Sequence, residues 1–478
     1  MQPSDLPGPG PRDLRLPGRL VMIGLGSIGQ AALPVLLQRV GVRPERITVI
    51  HAHAAERAVA QRWGVASHQT PLAPDNLDAV LEPLLAPGDF VLNLSVNVAS
   101  LALVRLCRRA GAFYLDTCTE PWAGVYDNPE LPPTRRSNYA LREDMLRLRR
   151  ELGPGPAAVM TQGANPGLVS IFAKEALLQM ARETGLQART PDSREAWASL
   201  ARRLGVRVIH VAERDTQSAT RRRLPDEFVN TWSVQAFIDE GRQPAELGWG
   251  SHEKHWPVDA MRHEGGCGAA IALARPGLST RVRSWTPLQG TYHGFLVTHA
   301  ESISLADYLS VEDNGALVYR PTVHYAYHPC DDAVLSIHEM AGREWAEPAR
   351  TRILRDEIDG GIDELGVLLM GHPKGVYWFG SRLAIEQARS ITPESNATSL
   401  QVVAGILGGM QWALRHPQAG VVEPEDLDHR LVLDVARPYL GELVGSWGEW
   451  NPLLGRGRLF DEPMDTSDPW QFVNFRVS

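Results

Sequence analysis

The sequence predicts an α/β protein in which an N-terminal, doubly wound parallel sheet is followed by a second, mixed α+β domain. Three observations predict it. Strand-like and helix-like runs alternate from Arg19 to about residue 154, and a glycine turn separates the first strand from the first helix. Beyond residue 154 the alternation gives way to longer stretches rich in Trp, His, Gly and Tyr. Alternating strands and helices need crossover connections, which produce a parallel sheet covered on both faces.

The first element is the apolar run after Arg19, and the helical pattern that follows the turn extends to about Gly41. Between them Gly24, Gly26 and Gly29 form G-x-G-x-x-G. The first glycine permits the tight turn, the second lets backbone approach a pyrophosphate, and the third lets helix and strand pack closely. A helix N-terminus then faces the phosphate charge. This is the Rossmann-type arrangement, and it assigns Gly24, Gly26, Ser27, Ile28 and Gly29 to a dinucleotide.

Ile47 to Ile50 forms the second strand and Ala54 to Trp63 the next helix, while FVLNLSV (Phe90 to Val96) and FYLDT (Phe113 to Thr117) continue the sheet. Asn93 and Ser95 end one strand and Thr117 the next, at the edge where such sheets hold a nicotinamide ribose and pyrophosphate. Closing the strand end through side-chain hydrogen bonds explains Asn93 and Ser95 equally well. His51 stands at the end of the second strand, where a carboxylate usually holds the adenosine ribose. No Arg is there to receive a 2′-phosphate either, so this position does not choose between NAD and NADP.

The chain has 478 residues, 44% of them hydrophobic and 22% charged, more than one compact domain normally accommodates. The expected divisions are a disordered leader over 1–18, the dinucleotide domain over 19–154 and the mixed domain over 155–335. A mainly helical segment over 336–420 then packs back on the first domain, and 421–478 closes on the second. A net charge of −8 argues against a nucleic-acid surface and suits small cations. Cys107, Cys118, Cys267 and Cys330 are dispersed, which indicates neither a disulfide framework nor a thiolate metal site and fits a reducing cytoplasm. The leader lacks the apolar core of a signal peptide, and no run approaches the roughly 18 to 20 apolar residues of a membrane-spanning helix.

The second domain carries acids, amides and indoles close together in sequence. Carboxylates hold ammonium groups by charge-assisted hydrogen bonds, and an indole face attracts a cation while covering methylenes. Glu120, Glu213, Glu240, Asp363 and Trp232 suit recognition of a diamine, although each acid taken alone also reads as a solvated charge or an arginine partner. His299, directly after the apolar run GFLVT, is a candidate for proton transfer or a satisfied core histidine. His324 and His328 are four residues apart in a strand or loop pattern without an evident third ligand, so no metal site is expected.

The motifs VMIGLGSIGQ, NLSVNVASL, EPW, RSNYALRE, GANPGLVS, HVAERDTQ, FVNTWSV, QPAELGWG, GFLVTHAESIS, YRPTVHYAYHPC and GIDELGVLL resemble those of bacterial homospermidine synthases. The resemblance runs from about Arg19 to the C-terminus and implies the saccharopine dehydrogenase-like architecture with a homodimer built on the second domain. It implies a redox-neutral transfer: NAD takes hydride from the amine-bearing carbon of putrescine or spermidine. A second putrescine displaces ammonia or diaminopropane from the imine, and the new Schiff base is reduced to homospermidine. It places Asn165, Glu213, Trp232 and His299 at the reacting centre, with Glu120, Asn138, Glu240, Asp363 and Asn97 along the polyamine channel. Asn97 stands where the family is expected to have Asp, and His51 where it is expected to have an acid. Two other readings predict different observables. A saccharopine- or carboxyspermidine-type dehydrogenase would turn over NAD(P)H and need an Arg, such as Arg281 or Arg283, for a substrate carboxylate; a polyamine sensor would bind without releasing ammonia.

Overall fold

The computed structural model describes residues 14–39, 42–126 and 128–477. Residues 1–13 of the expected leader lie outside the described residues. Its remainder is no leader, since Leu14 and Leu16 are buried in the core of the first domain. No helix among the described residues is long and apolar enough to cross a membrane.

The first domain is built on β1 (Leu20–Ile23), β2 (Ile47–His51), β3 (Ala66–Gln69), β4 (Phe90–Asn93), β5 (Phe113–Asp116) and β6 (Gly155–Val159). With Ala419–Val422 these make a seven-stranded sheet in the order Ala419–Val422, β6, β5, β4, β1, β2, β3, and every pair is parallel. All four residues of β1, β4 and β5 are buried, as expected for strands covered on both faces. The glycine turn opens α1 (Ser27–Arg39) immediately after β1.

The second domain centres on β7 (Val208–Asp215). It is flanked in parallel by Thr322–His328 and antiparallel by Ile362–Met370, the centre of a mixed ten-stranded sheet. The register pairs Tyr327 with Glu213 and Asp363 with Asp215. Because side chains alternate along strands, Glu213, Asp215, Tyr325, Tyr327 and Asp363 share one face. His210 and His324, paired in the same ladder, share the other.

The segment boundaries differ from expectation in two ways. Gly155–Val159 and Ala419–Val422 both belong to the first sheet, so the chain returns to that domain after building the second. The region expected to be mainly helical contains Arg350–Ile353, Ile358–Gly360, Ile362–Met370 and Val376–Ala384 as strands. Eight of the nine residues of Ile362–Met370 are buried, and a strand apolar on both faces carries no period-two signal to separate it from a buried helix. The expected helix around SLQVVAGILGGMQWAL spans Ala397–Arg415 and packs on α1, β5 and β6. At Gly405 a Cβ would lie 1.9 Å from the Gly163 carbonyl oxygen, so only glycine lets this helix touch the GANPG loop.

Candidate active site

A cavity of about 530 Å³ runs from the glycine turn to the charged face of the second sheet. At its first end the turn has the form a dinucleotide needs. A Cβ on Gly24 would sit 2.7 Å from the Leu94 carbonyl oxygen and one on Gly29 2.6 Å from the Gly24 carbonyl oxygen, whereas nothing lies within 4 Å of a Cβ on Gly26. Gly24 and Gly29 therefore serve the turn and the packing, and Gly26 leaves open space beside the N-terminus of α1. The Ser27 hydroxyl, buried there without a hydrogen-bond partner, is a donor waiting for an acceptor. Ile28 and Thr117 line the cavity with them, and Gly29 does not.

Asn93 and Ser95 satisfy both of their sequence readings. The Ser95 hydroxyl and N–H donate to Asn93 Oδ1 at 2.6 and 3.2 Å, closing the strand end, and both residues line the cavity. His51 also lines it, fully buried, with Nδ1 3.0 Å from the His53 carbonyl oxygen and Nε2 without a partner. Glu56, three residues into the next helix turn from His53, brings the carboxylate that the strand end lacks.

At the other end Glu213 is held by two elements. Asn165 Nδ2, from the loop after β6, donates to Glu213 Oε2 at 2.8 Å, and the Tyr325 hydroxyl donates to the same oxygen. Burial raises the carboxyl to about 7; these two hydrogen bonds oppose the rise and nearby Asp215 adds to it. Trp232 is half-buried, its Nε1 donating to the Tyr327 hydroxyl at 3.0 Å, and Tyr325 and Tyr327 stack with centroids 5.0 Å apart.

Glu120, Glu240 and Asn97 complete the wall. Glu120 is buried and its carboxyl rises to about 8 because of that burial and of the Glu240 and Asp239 charges, against the Asn97 N–H at 3.3 Å. Asn97 has φ of +63°, a left-handed conformation that Asn tolerates better than most residues. His299 sits with Nδ1 3.2 Å from Glu301 and Nε2 3.4 Å from Glu240. Burial alone would lower its pKa, but the two carboxylates outweigh it and raise it to about 10. His299 is thus held as an imidazolium between two acids.

Two expected channel residues stand behind the wall. Asn138 Nδ2 donates to Thr298 Oγ1 at 3.0 Å and its N–H to Glu246 at 2.9 Å, fixing the strand end before His299. Asp363 is fully buried beside Asp215 and accepts from the Thr398 hydroxyl. Tyr325 and Glu56 are cavity residues that sequence reasoning missed. A helix-capping reading of His53 to Glu56 was available for the second, while Tyr325 becomes visible only through strand register.

The lining includes the carboxylates of Glu56, Glu120, Glu213 and Glu240, and no Lys or Arg. Arg283 is instead spent on the Arg476 carbonyl and Glu462, and Arg281 is exposed. The cavity therefore presents an acidic, partly aromatic wall to a cation, with Glu213 and Glu120 ionising fully only above about 7 and about 8.

Residues 20–159 match the saccharopine dehydrogenase NADP binding domain and residues 163–448 the saccharopine dehydrogenase C-terminal domain. The chain is 52% identical to the homospermidine synthase of Blastochloris viridis over 97% of its own length and 98% of that protein. It is 46% identical to the homospermidine synthase of Mesorhizobium japonicum over 96% of each chain. Among solved structures it resembles the homospermidine synthase of Legionella pneumophila in complex with NAD, at 47% identity and a TM-score of 0.92, covering 98% of this chain and 100% of that one.

Proposed function

The chain belongs to the homospermidine synthases of the saccharopine dehydrogenase family, and from that membership we propose how its cavity performs their aminobutyl transfer. The proposed reaction converts putrescine, or spermidine and putrescine, to homospermidine with loss of ammonia or diaminopropane. Gly24, Gly26, Ser27, Ile28, His51, Asn93, Ser95 and Thr117 hold NAD, with Gly29 packing the turn. When bound, NAD supplies a hydride acceptor for the donor amine's α-carbon and the hydride that completes the product.

Glu213 takes the ammonium proton that must leave before the carbon can lose hydride; its carboxyl, raised to about 7, is half-ionised near neutrality and suited to accept and return that proton. Asn165 and Tyr325 both donate to Oε2, which fixes the carboxyl and leaves Oε1 for the amine. Trp232 covers the cationic carbon–nitrogen unit with its indole face, aimed by the bond to Tyr327. Glu120 and Glu240 take the distant ammonium groups, and the His299 imidazolium holds Glu240 in place. Asn97 lies at the mouth beside Glu120. Asn138 and Asp363 act from behind the wall, by positioning.

The observation that carries this reading is the set of three glutamates, Glu120, Glu213 and Glu240, at the end of the cavity away from the glycine turn, with no Lys or Arg in the lining. A dehydrogenase for a carboxylated polyamine would leave that carboxylate facing acids, with Arg281 and Arg283 elsewhere. The test is incubation with putrescine and catalytic NAD while homospermidine, ammonia and NADH absorbance are followed together. Homospermidine and ammonia without lasting NADH is the expected result; sustained NADH means a dehydrogenase, and binding without either product means a sensor.

The same reading includes a homodimer and a cytoplasmic location. Exposed Leu454, Leu459 and Phe460 support a covered apolar surface, and four free cysteines support a reducing compartment. Light scattering of the purified chain tests the first.

A further inference from the structure

The adenosine end of the cavity contains a polar atom that the reaction does not use. His51 ends β2, directly after Ile50, whose carbonyl oxygen accepts from the N–H of Gly24 at 2.8 Å. The imidazole is thus fixed beside the glycine turn. Its Nδ1 faces two acceptors, the His53 carbonyl oxygen at 3.0 Å and Glu56 Oε2 at 3.7 Å. A carbonyl oxygen can only accept, so the ring proton sits on Nδ1 with the Glu56 carboxylate beyond it, and Nε2 is left as a lone-pair acceptor. That nitrogen, Nε2, is buried without a partner in a side chain that lines the cavity.

We propose that His51, through Nε2, accepts the 2′-hydroxyl of the adenosine ribose, and that Glu56 locks its tautomer and bars a 2′-phosphate. A ribose hydroxyl can donate to a lone pair, whereas a phosphate offers only acceptor oxygens and negative charge. The phosphate would meet the Nε2 lone pair and the Glu56 carboxylate, with no Lys or Arg in the lining to receive it. The Nε2 lone pair thereby does the work of the customary carboxylate, and discrimination against NADP is divided between two residues. The matched NADP-binding domain would accordingly be selective for NAD in this chain. The inference rests on a dinucleotide lying along the glycine turn.

The test is calorimetric binding of NAD, NADP and the NAD analogue lacking the adenosine 2′-hydroxyl to the full chain and its variants. For the unaltered chain the analogue is expected to bind about fivefold more weakly than NAD, the scale of one neutral hydrogen bond, and NADP more weakly still. His51→Phe should bind NAD and the analogue equally. His51→Asp should widen their gap to about tenfold or more, since the acceptor becomes charged, and it decides the matter if the Phe variant does not fold. Glu56→Gln should gain several-fold affinity for NADP. An unaltered chain that binds NAD without preferring it to the analogue, or a His51→Phe variant that keeps the preference, overturns the inference while leaving the cofactor reading intact. A chain that binds none of the three overturns both.

Discussion

Asn165 Nδ2 donates to Glu213 Oε2 at 2.8 Å, joining the loop after β6 to the central strand of the second sheet. This bond crosses from one domain to the other at the point where cofactor and amine must meet. The loop is pressed into place by Gly405, whose helix packs against the first sheet. The position of Glu213 is therefore set by both sheets at once.

Glu213→Gln keeps the shape and removes the proton acceptor. It is expected to lower kcat by about 10²- to 10⁴-fold, the range of general-base catalysis, with ammonia release falling in parallel and the melting temperature little changed. Burial of an ionisable group that rises to about 7 costs stability, so the neutral amide should not destabilise the fold. Near-normal ammonia release from this variant would remove Glu213 from the chemistry.

The pH dependence should follow two carboxyls. Glu213 and Glu120 rise to about 7 and about 8, chiefly by burial, so both are protonated below those values and ionised above them. An ionised carboxylate is needed to accept a proton at one and to hold an ammonium at the other. We expect kcat/KM for putrescine to climb from pH 6 to about pH 8.5 with two overlapping limbs. Glu120→Gln should raise KM more than it lowers kcat and should leave the single limb near 7. A profile unchanged by that substitution would count against Glu120 as an ammonium site.

The glycine turn and most of the wall were legible because their chemistry is local in sequence: a turn, a strand end, an acid after an apolar run. Asn138 and Asp363 were misplaced because composition and resemblance bring a residue near a site without saying which way it faces. Asn138 turns to Glu246 and Thr298, and Asp363 to Thr398. Tyr325 was hidden for a related reason. Its contact with Glu213 depends on the parallel register of strands more than a hundred residues apart, which apolar patterning does not encode. The titration of His299 was not legible either, since an imidazole's charge depends on the acids around it, here Glu240 and Glu301.

Trp232 tests the aromatic part of the wall. Replacing it with Phe keeps a smaller π face but gives up the hydrogen bond to Tyr327, whereas Ala removes both. With a cation–π interaction of about 0.5 to 2 kcal/mol at stake, Phe should retain part of the activity and Ala very little. Equal loss for Phe and Ala would mean that the indole acts through its N–H, by holding Tyr327, and that no cation rests on its face.

On the opposite face of the same sheet, His210 and His324 stack with centroids 4.0 Å apart, both fully buried against Phe475. Burial lowers His324 to about 4, and burial together with the neighbouring ring holds His210 well below the usual imidazole range. In the unfolded chain each titrates near 6.5, so below that pH the unfolded state binds more protons than the folded one. The stability that the neutral pair contributes is fully present above about pH 6.5 and is lost as pH falls towards 4, at about 1.4 kcal/mol per pH unit for each ring. His324→Phe removes one titrating ring from an aromatic cluster that includes Phe472 and Phe475. The difference in unfolding free energy between this variant and the unaltered chain, measured by denaturant titration, should shift in the variant's favour from pH 7 to pH 5. A difference independent of pH would show that His324 is not kept neutral by the fold. Because the pair faces away from the cavity, this acid lability should appear in stability while kcat of the folded enzyme remains unaffected by the substitution.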